Sequence, residues 1–358
     1  MSKDDKRAAF NEAIEKDAPE NVDIIKLQVR ADNLAHELGQ ARKNSKHLRR
    51  ALQNEQQAIA TLLQLETAKG IPKIKVPKKL SKKPRATACS LFGDAHIEEQ
   101  VISERVNGLN FYDLAESKRR VELYFIRLVE KLKHEQKHWS INDLVVFFLG
   151  DYITGYIHEE FVINNFLTPT EATFEALEYL MCGIDYLLEH APVEKIIIPC
   201  NYGNHGRNVK WRPHSVKAKM SYEWLLYQML RLMYKKAGED RVEFHIADGT
   251  LIYHDIGDFR IRANHGDTFN YRGGLGGVTI PMYGAINSWS KSIKADLDVM
   301  GHWHQFKNFR NSIINGSVIG YSEFAVDIRA EFEPPSQAFF LINHERNVLD
   351  TVHPIYVT

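Results

Sequence analysis

The sequence predicts an α/β fold, a layered α-β-β-α sandwich preceded by a long amino-terminal helix. Three features predict it. Apolar runs and amphipathic stretches alternate from Ala86 to Arg241, strand-like runs crowd together after Arg241, and an apolar stripe repeats every three or four residues from Ile24 to Leu62. Strand–helix–strand units build parallel sheet and closely spaced strands pair antiparallel, which yields a layered domain.

The stripe comes first in the chain. Ile24, Leu27, Ala31, Leu34, Leu38, Ala41, Ser45, Leu48, Leu52, Glu55, Ile59 and Leu62 follow steps of three and four, with mostly charged residues and Gln between them. Asp17 or Pro19 can open such a helix, and Gly70 with Pro72 can close it. At roughly 65 Å it is too long to bury its stripe against itself. A coiled coil, between subunits or as a helical hairpin, would cover the stripe and makes a homo-oligomer the expected state. A helix lying along its own globular domain is the alternative.

From residue 71 to 85, Lys73, Lys75, Lys78, Lys79, Lys82, Lys83 and Arg85 stand among three prolines with no acid. Such a segment cannot build a core and reads as an extended linker. Its charge can hold a phosphate backbone nearby, or simply be solvated. The expected organisation is therefore an arm (1–70), a linker (71–85) and a globular domain (86–358).

Within that domain Ala86–Phe92, Leu144–Leu149 and Lys195–Cys200 are continuous apolar runs and read as buried strands. Helical spacing marks Phe111–His138, Pro169–His190 and Pro213–Lys235. The later strands are expected at Val242–Ala247, Thr250–His254, Phe259–Ala263, Asp298–Met300, Gln305–Arg310 and Gln337–Asn343.

Composition narrows the setting. Across 358 residues Lys plus Arg equals Asp plus Glu at 46 each, so attraction to a polyanion must come from local patches. The three cysteines, Cys89, Cys182 and Cys200, lack zinc-ribbon spacing and read as small hydrophobes in a reducing, cytoplasmic setting. The polar start, Met1 to Arg7, lacks the apolar stretch of a signal peptide. No run approaches the ~20 apolar residues of a bilayer span, so no membrane partner is expected.

Chemistry concentrates in five short motifs, each at the end of an apolar run. They are Asp94-Ala95-His96, Gly150-Asp151, Gly203-Asn204-His205, Asn264-His265-Gly266 and Gly301-His302-Trp303-His304. Residues two apart at a strand end share a side, so Asp94 with His96, and His302 with His304, can each reach one ion. Asp151 follows a run too apolar for a lone carboxylate, and between two cations its two oxygens can bridge. Singly, Asp94 reads equally as a capped turn and Asp151 as an N-cap. Together the motifs supply two carboxylates, an amide and four imidazoles beside a further histidine. That donor set fits a two-metal hydrolytic centre acting on phosphate esters.

In this order the five blocks resemble the calcineurin-like metallophosphoesterase superfamily, over about residues 86 to 320. The resemblance implies that Asp94, His96, Asp151 and His304 hold one divalent ion and that Asp151, Asn204, His265 and His302 hold a second. Mn is expected ahead of Fe, Zn or Mg. Members of the family attack a phosphate bound across both ions with a metal-bridging hydroxide. The histidine of Gly-Asn-His, here His205, protonates the leaving oxygen, a task suited to imidazole at pH 7.

The chain departs from the family at one point. Most members follow Gly-Asn-His with Asp or Glu, whereas here Gly206 and Arg207 stand. Asp267 and Glu323 are carboxylates that can take over the orienting of His205. Arg207 offers a forked clamp for a phosphate at the catalytic site, or pairs with a surface acid. Arg207, Arg212, Tyr271 and Arg272 form the expected substrate-binding set. The glycine-rich Asp267–Gly277 predicts a flap carrying Tyr271 and Arg272, with a plain long loop as the alternative. Asn201, Tyr202, Trp211 and Trp303 can contact bases, or be buried.

The expected substrate is a nucleic-acid phosphodiester, making the chain a DNA-binding or other nuclease, and the chain is similar to phage-borne and repair nucleases that add a helical segment to this domain. A phosphomonoesterase or small-nucleotide hydrolase is the first alternative. A non-catalytic helical adaptor is the second.

Overall fold

The computed structural model describes residues 19–67, 83–270, 277–327 and 329–358. The chain divides into two compact units, Met1–Lys79 and Leu80–Thr358, with the boundary inside the lysine-rich stretch. Asp17, Gly70, Pro72 and the linker up to Lys82 lie outside the described residues.

In the first unit one helix, α1 (Pro19–Thr67), runs for 49 residues, about 74 Å at 1.5 Å per residue. Pro19 stands at its start, where the missing N–H costs no hydrogen bond. Leu27, Leu34, Leu38, Leu48, Leu52 and Ile59 are each more than half exposed.

The second unit opens with β1 (Ala86–Phe92), α2 (Leu114–Glu135), β2 (Asp143–Phe148), the single turn α3 (Phe161–Asn164), α4 (Pro169–His190), β3 (Lys195–Cys200), α5 (Tyr222–Ala237) and β4 (Val242–Ile246). It continues with β5 (Ile252–Ile256), β6 (Phe259–Asn264), α6 (Thr279–Ser290), β7 (Leu297–Met300), β8 (Lys307–Asn308), β9 (Ser312–Ile314), α7 (Glu323–Asp327), β10 (Ser336–Asn343) and β11 (Val348–Tyr356).

One sheet has the order β11-β10-β1-β2-β3-β4, with β1 to β4 parallel. The other is ordered β5-β6-β7-β9-β8, with β6, β7 and β9 parallel. Alternation along the strands sets the layers. Phe92, Val146 and Phe148 join Tyr124 and Leu128 of α2, Ile184 of α4 and Leu226 of α5 in one core. Leu91, Val145 and Phe147 point the other way, onto Ile261, Leu297 and Ile313 of the second sheet. Met282 and Ile286 of α6 then cover that sheet's far side, against Met300 and Ile314. The layer order is α-β-β-α.

Several elements differ from the expected bounds. The helix expected from Pro213 starts at Tyr222, because Ser221 caps it by accepting from the Trp224 N–H. The strand expected over Gln305–Arg310 is confined to Lys307–Asn308. The helix α6 and the strands β9 and β11 have no counterpart in the sequence reading. β11 is half-exposed along most of its length, so its apolar signal is faint.

Candidate metal centre

Asp94 and His96 follow β1, Asp151 follows β2, and Asn204 with His205 follow β3. His265 follows β6, and His302 with His304 follow β7. Within each sheet these strands are parallel, so their loops leave from the carboxyl ends, where open α/β sheets build sites. Two contacts tie the sheets' loops together. The His302 N–H donates to both Asp94 oxygens at 3.0 Å, and His265 Nδ1 lies 2.8 Å from the Leu149 carbonyl.

The backbone at these positions is strained. Asp94, His96, Asp151, His302 and His304 all have φ between 48° and 71°. Left-handed backbone costs a side-chain-bearing residue about 1–3 kcal/mol, and such strain clusters where geometry serves a site. Only three other non-glycine residues adopt it among the described residues. Two motif glycines are explained by close approach. A Cβ on Gly203 would collide with the Asp151 carboxylate, and one on Gly301 would meet Asp94 Oδ2.

Ligand atoms converge in three overlapping groups: Asp94, His96 and His304; Asp151, His265 and His302; and His96, Asp151 and His205. Within each, the atoms lie within 4.8 Å of one another. The first group holds three of the four residues expected around one ion and the second three of the four expected around the other, while Asp151 stands in the second and third groups. Asn204 Oδ1 lies 3.1 Å from His265 Nε2, which also lies 2.8 Å from Asp151 Oδ2.

Hydrogen bonds fix which ring nitrogen faces the centre. A carbonyl can only accept, so His265 donates Nδ1–H to Leu149 and keeps Nε2 for the centre. Thr154 gives its hydroxyl proton to Glu99 Oε2 at 3.0 Å and accepts from His96 Nδ1 at 3.0 Å. His96 Nε2 is then a buried lone pair with no hydrogen-bond partner, as a metal ligand requires. The residues fit a divalent ion.

Electrostatics point the same way. Burial, then the neighbouring His205 and His304, push His96 well below the usual histidine range. Burial and the charge of His265 hold His302 down to about 3. Burial also opposes charge on His265, but the Asp151 carboxylate prevails and raises it to about 10. For Asp151 burial favours the neutral acid, yet His265 and His205 keep its carboxyl well below the ordinary value. The raised His265 ring thus pairs, in its protonated form, with the Asp151 carboxylate at 2.8 Å.

His205 is oriented by neither Asp267 nor Glu323. Its Nδ1–H donates to the Thr154 carbonyl at 3.0 Å, and its N–H donates to Asp151 Oδ1 at 2.8 Å. Asp267 instead pairs with Arg212 at 2.8 Å and Lys217 at 3.1 Å. Arg207 turns onto its own loop, donating to the Val209 and Asn204 carbonyls. With Asn204, Arg212 and Asp267 it lines a cavity of about 20 Å³. Tyr271 and Arg272 lie outside the described residues. Asn201 and Tyr202 are buried, whereas Trp211 is exposed.

Three carboxylates that the sequence reading passed over support the ligand loops. Glu98 accepts from the N–H groups of Thr154 and Gly155, at 2.8 and 2.9 Å. Glu99 holds the Thr154 hydroxyl. Glu223, in the first turn of α5, accepts from Tyr152 N–H and Gly203 N–H at 2.7 Å each, tying the β2 loop to the β3 loop. The available signal was weak: an acid in a helix's first turn is ordinary.

No family model matches the chain, and no curated protein matches it. Similar solved structures include a hypothetical protein from Pyrococcus horikoshii, 12% identical over 75% of this chain and 88% of that one, with a TM-score of 0.33. Vps29 from Chaetomium thermophilum is 10% identical over 75% and 95%, with a TM-score of 0.27. The sulfate thiohydrolase SoxB from Thermus thermophilus is 9% identical over 79% of this chain and 58% of that one, with a TM-score of 0.33. Likenesses this slight carry no argument, and the functional reading rests on the site itself. No helix among the described residues is long and apolar enough to cross a membrane.

Proposed function

We propose that this chain is a two-metal phosphoesterase of the calcineurin-like type that hydrolyses nucleic-acid phosphodiesters in the cytoplasm. The carrying observation is the pair of ligand groups, Asp94–His96–His304 and Asp151–His265–His302, overlapped by the group of His96, Asp151 and His205. Asp94, His96, Asp151 and His304 would hold one ion, and Asp151, Asn204, His265 and His302 the other, with Mn favoured. Two such cations supply Lewis acidity, neutralise charge on phosphoryl oxygens and acidify water. The protein's own step is proton delivery. With Nδ1–H committed to Thr154, His205 would act as the imidazolium, a form that burial disfavours and the Asp151 carboxylate favours. It would give its Nε2 proton to the leaving oxygen as the P–O bond breaks and be left neutral, with Nδ1–H still on Thr154.

The polymer reading is supported by the lysines of residues 73–83 and by the cations Arg207, Lys210 and Arg212 on the loop after β3. The exposed stripe of α1 supports a homo-oligomer joined by that helix. The test is Mn-dependent cleavage of plasmid or oligonucleotide that disappears in His205→Ala and weakens with salt. Turnover of chromogenic monoesters or free nucleotides alone would overturn the polymer reading. No turnover of bis-(p-nitrophenyl) phosphate with any divalent metal would favour the adaptor.

A further inference from the structure

The turn α3 is built against the normal economy of a surface. Ile163 is 89% exposed, Val162 57% and Phe166 47%, in a segment tied by two hydrogen bonds to the loops after β1 and β2. The Phe166 N–H donates to the Glu98 carbonyl at 2.8 Å, and Asn165 Nδ2 donates to the Gly155 carbonyl at 3.0 Å. These anchors sit next to Thr154, the residue that orients His205.

The segment also delivers an aromatic ring to the acid. The Phe161 ring lies 5.7 Å from that of His205, and His158 lies 5.7 Å from Phe161 and 6.5 Å from His205. Glu159 pairs with Lys210 at 3.3 Å, and the exposed Trp211 follows Lys210 in the chain. A ring at this distance from His205 lies within one nucleotide's span of the oxygen that His205 would protonate. The loop after β3 carries Arg207, Lys210 and Arg212, Lys210 paired with Glu159 and Arg212 with Asp267, and cations near aromatic faces are what single-stranded nucleic acid meets on stacking platforms.

We infer that Phe161, flanked by His158, is a stacking subsite for the aromatic base on the departing side of the scissile phosphate. This rests on the reading of His205 as the proton donor. Stacking there fixes the leaving nucleoside, so its oxygen meets His205 Nε2 in a single orientation.

The test uses the full chain with Mn(II), dithymidine monophosphate, and its two counterparts in which one or the other base is removed. Product analysis identifies the half that departs. Removing the base from the departing half should lower kcat/KM about 5- to 100-fold, the range expected for one stacked base, and removal from the retained half should cost much less. Phe161→Ala should lower the rate on dithymidine monophosphate to that of the departing-side abasic compound and erase the difference between them. Phe161→Trp should preserve the difference. A Phe161→Ala protein that slows all three compounds equally, or none, overturns the subsite. Hydrolysis of bis-(p-nitrophenyl) phosphate without cleavage of any dinucleotide also overturns it, while leaving a phosphodiesterase in place. No hydrolysis of any of them removes the catalytic reading itself.

Discussion

The carbonyl of Thr154 accepts the Nδ1–H of His205 at 3.0 Å, while the same residue's hydroxyl accepts from His96 Nδ1 at 3.0 Å. One residue therefore holds the Nδ1 side of both rings, that of His205, the proposed acid, and that of His96, a proposed metal ligand. The loop that carries Thr154 is itself pinned by the buried Glu98, which accepts from the Thr154 and Gly155 N–H groups.

Thr154→Val separates the two functions. It removes the hydroxyl and keeps the carbonyl, so His96 loses its orienting partner while His205 keeps its own. Loss of such an outer partner costs metal affinity about 10- to 100-fold. Titration calorimetry with Mn(II) should show that loss, and activity at saturating metal should largely return. Unaltered affinity would mean that the Thr154–His96 contact does not govern binding.

Metal binding should be linked to protons. Asp151 raises His265 to about 10, so in the metal-free protein this ring is charged at pH 7. The ion needs the same Nε2, and binding must expel the proton. Apparent affinity should therefore rise with pH, about tenfold per unit below pH 10, because each unit frees ten times more neutral ring. Calorimetry in buffers of different ionisation heat should find close to one proton released at neutral pH. A flat affinity between pH 7 and 9 would exclude the pairing of protonated His265 with Asp151.

Glu223 provides a stability test without metal. Burial, then the Asp151 charge, push its carboxyl up to about 8 from an unfolded value of 4.5. The folded value lies above the unfolded one, so the contribution is complete below pH 4.5 and is lost as pH rises toward 8. In chelator, wild type should lose stability across that window more steeply than Glu223→Gln. Glu223→Ala should destabilise at every pH, because two buried N–H groups lose their acceptor at about 1–3 kcal/mol each. Urea midpoints at fixed slope measure both effects.

His205→Ala should discriminate among leaving groups. An alkoxide leaving from a nucleotide needs a proton, and p-nitrophenolate does not. Loss of a general acid costs about 10²- to 10⁴-fold where protonation is required. The dinucleotide should suffer that loss and bis-(p-nitrophenyl) phosphate a far smaller one. Equal losses on both would assign His205 to positioning or metal binding.

The legible part of this site was the gathering of its Asp and His side chains, because two-residue spacing at strand ends is a local property of the chain. Asp94 with His96, and His302 with His304, are each read from three or four consecutive letters. The layered core was legible for the same reason, since β1, β2 and β3 are short runs dominated by apolar residues. What escaped were relations across sequence distance. Thr154 orients a histidine 51 positions away through a carbonyl, a group every residue carries, so no letter marks it. Glu223 reaches Tyr152 across 71 positions. The late start of α5 shows the same limit, since the apolar pattern from Pro213 onward cannot reveal that Ser221 caps the helix.

The arm offers the last test. Ile24, Leu27, Leu34, Leu38, Leu48, Leu52, Ile59 and Leu62 of α1 are all more than half exposed. Burying each such side chain returns about 1.5–3 kcal/mol, so leaving the whole stripe wet forfeits far more than a helical arm's intrinsic stability. Pairing with a second copy recovers it, and the three-and-four repeat is the period that keeps two helices in contact along their length. Leu34→Asp with Leu48→Asp in the full chain places charges at two seam positions. Light scattering should then report a change from oligomer to monomer, with hydrolysis of bis-(p-nitrophenyl) phosphate per subunit retained. An unchanged mass in the double variant, or a monomeric wild type, would remove self-association through α1.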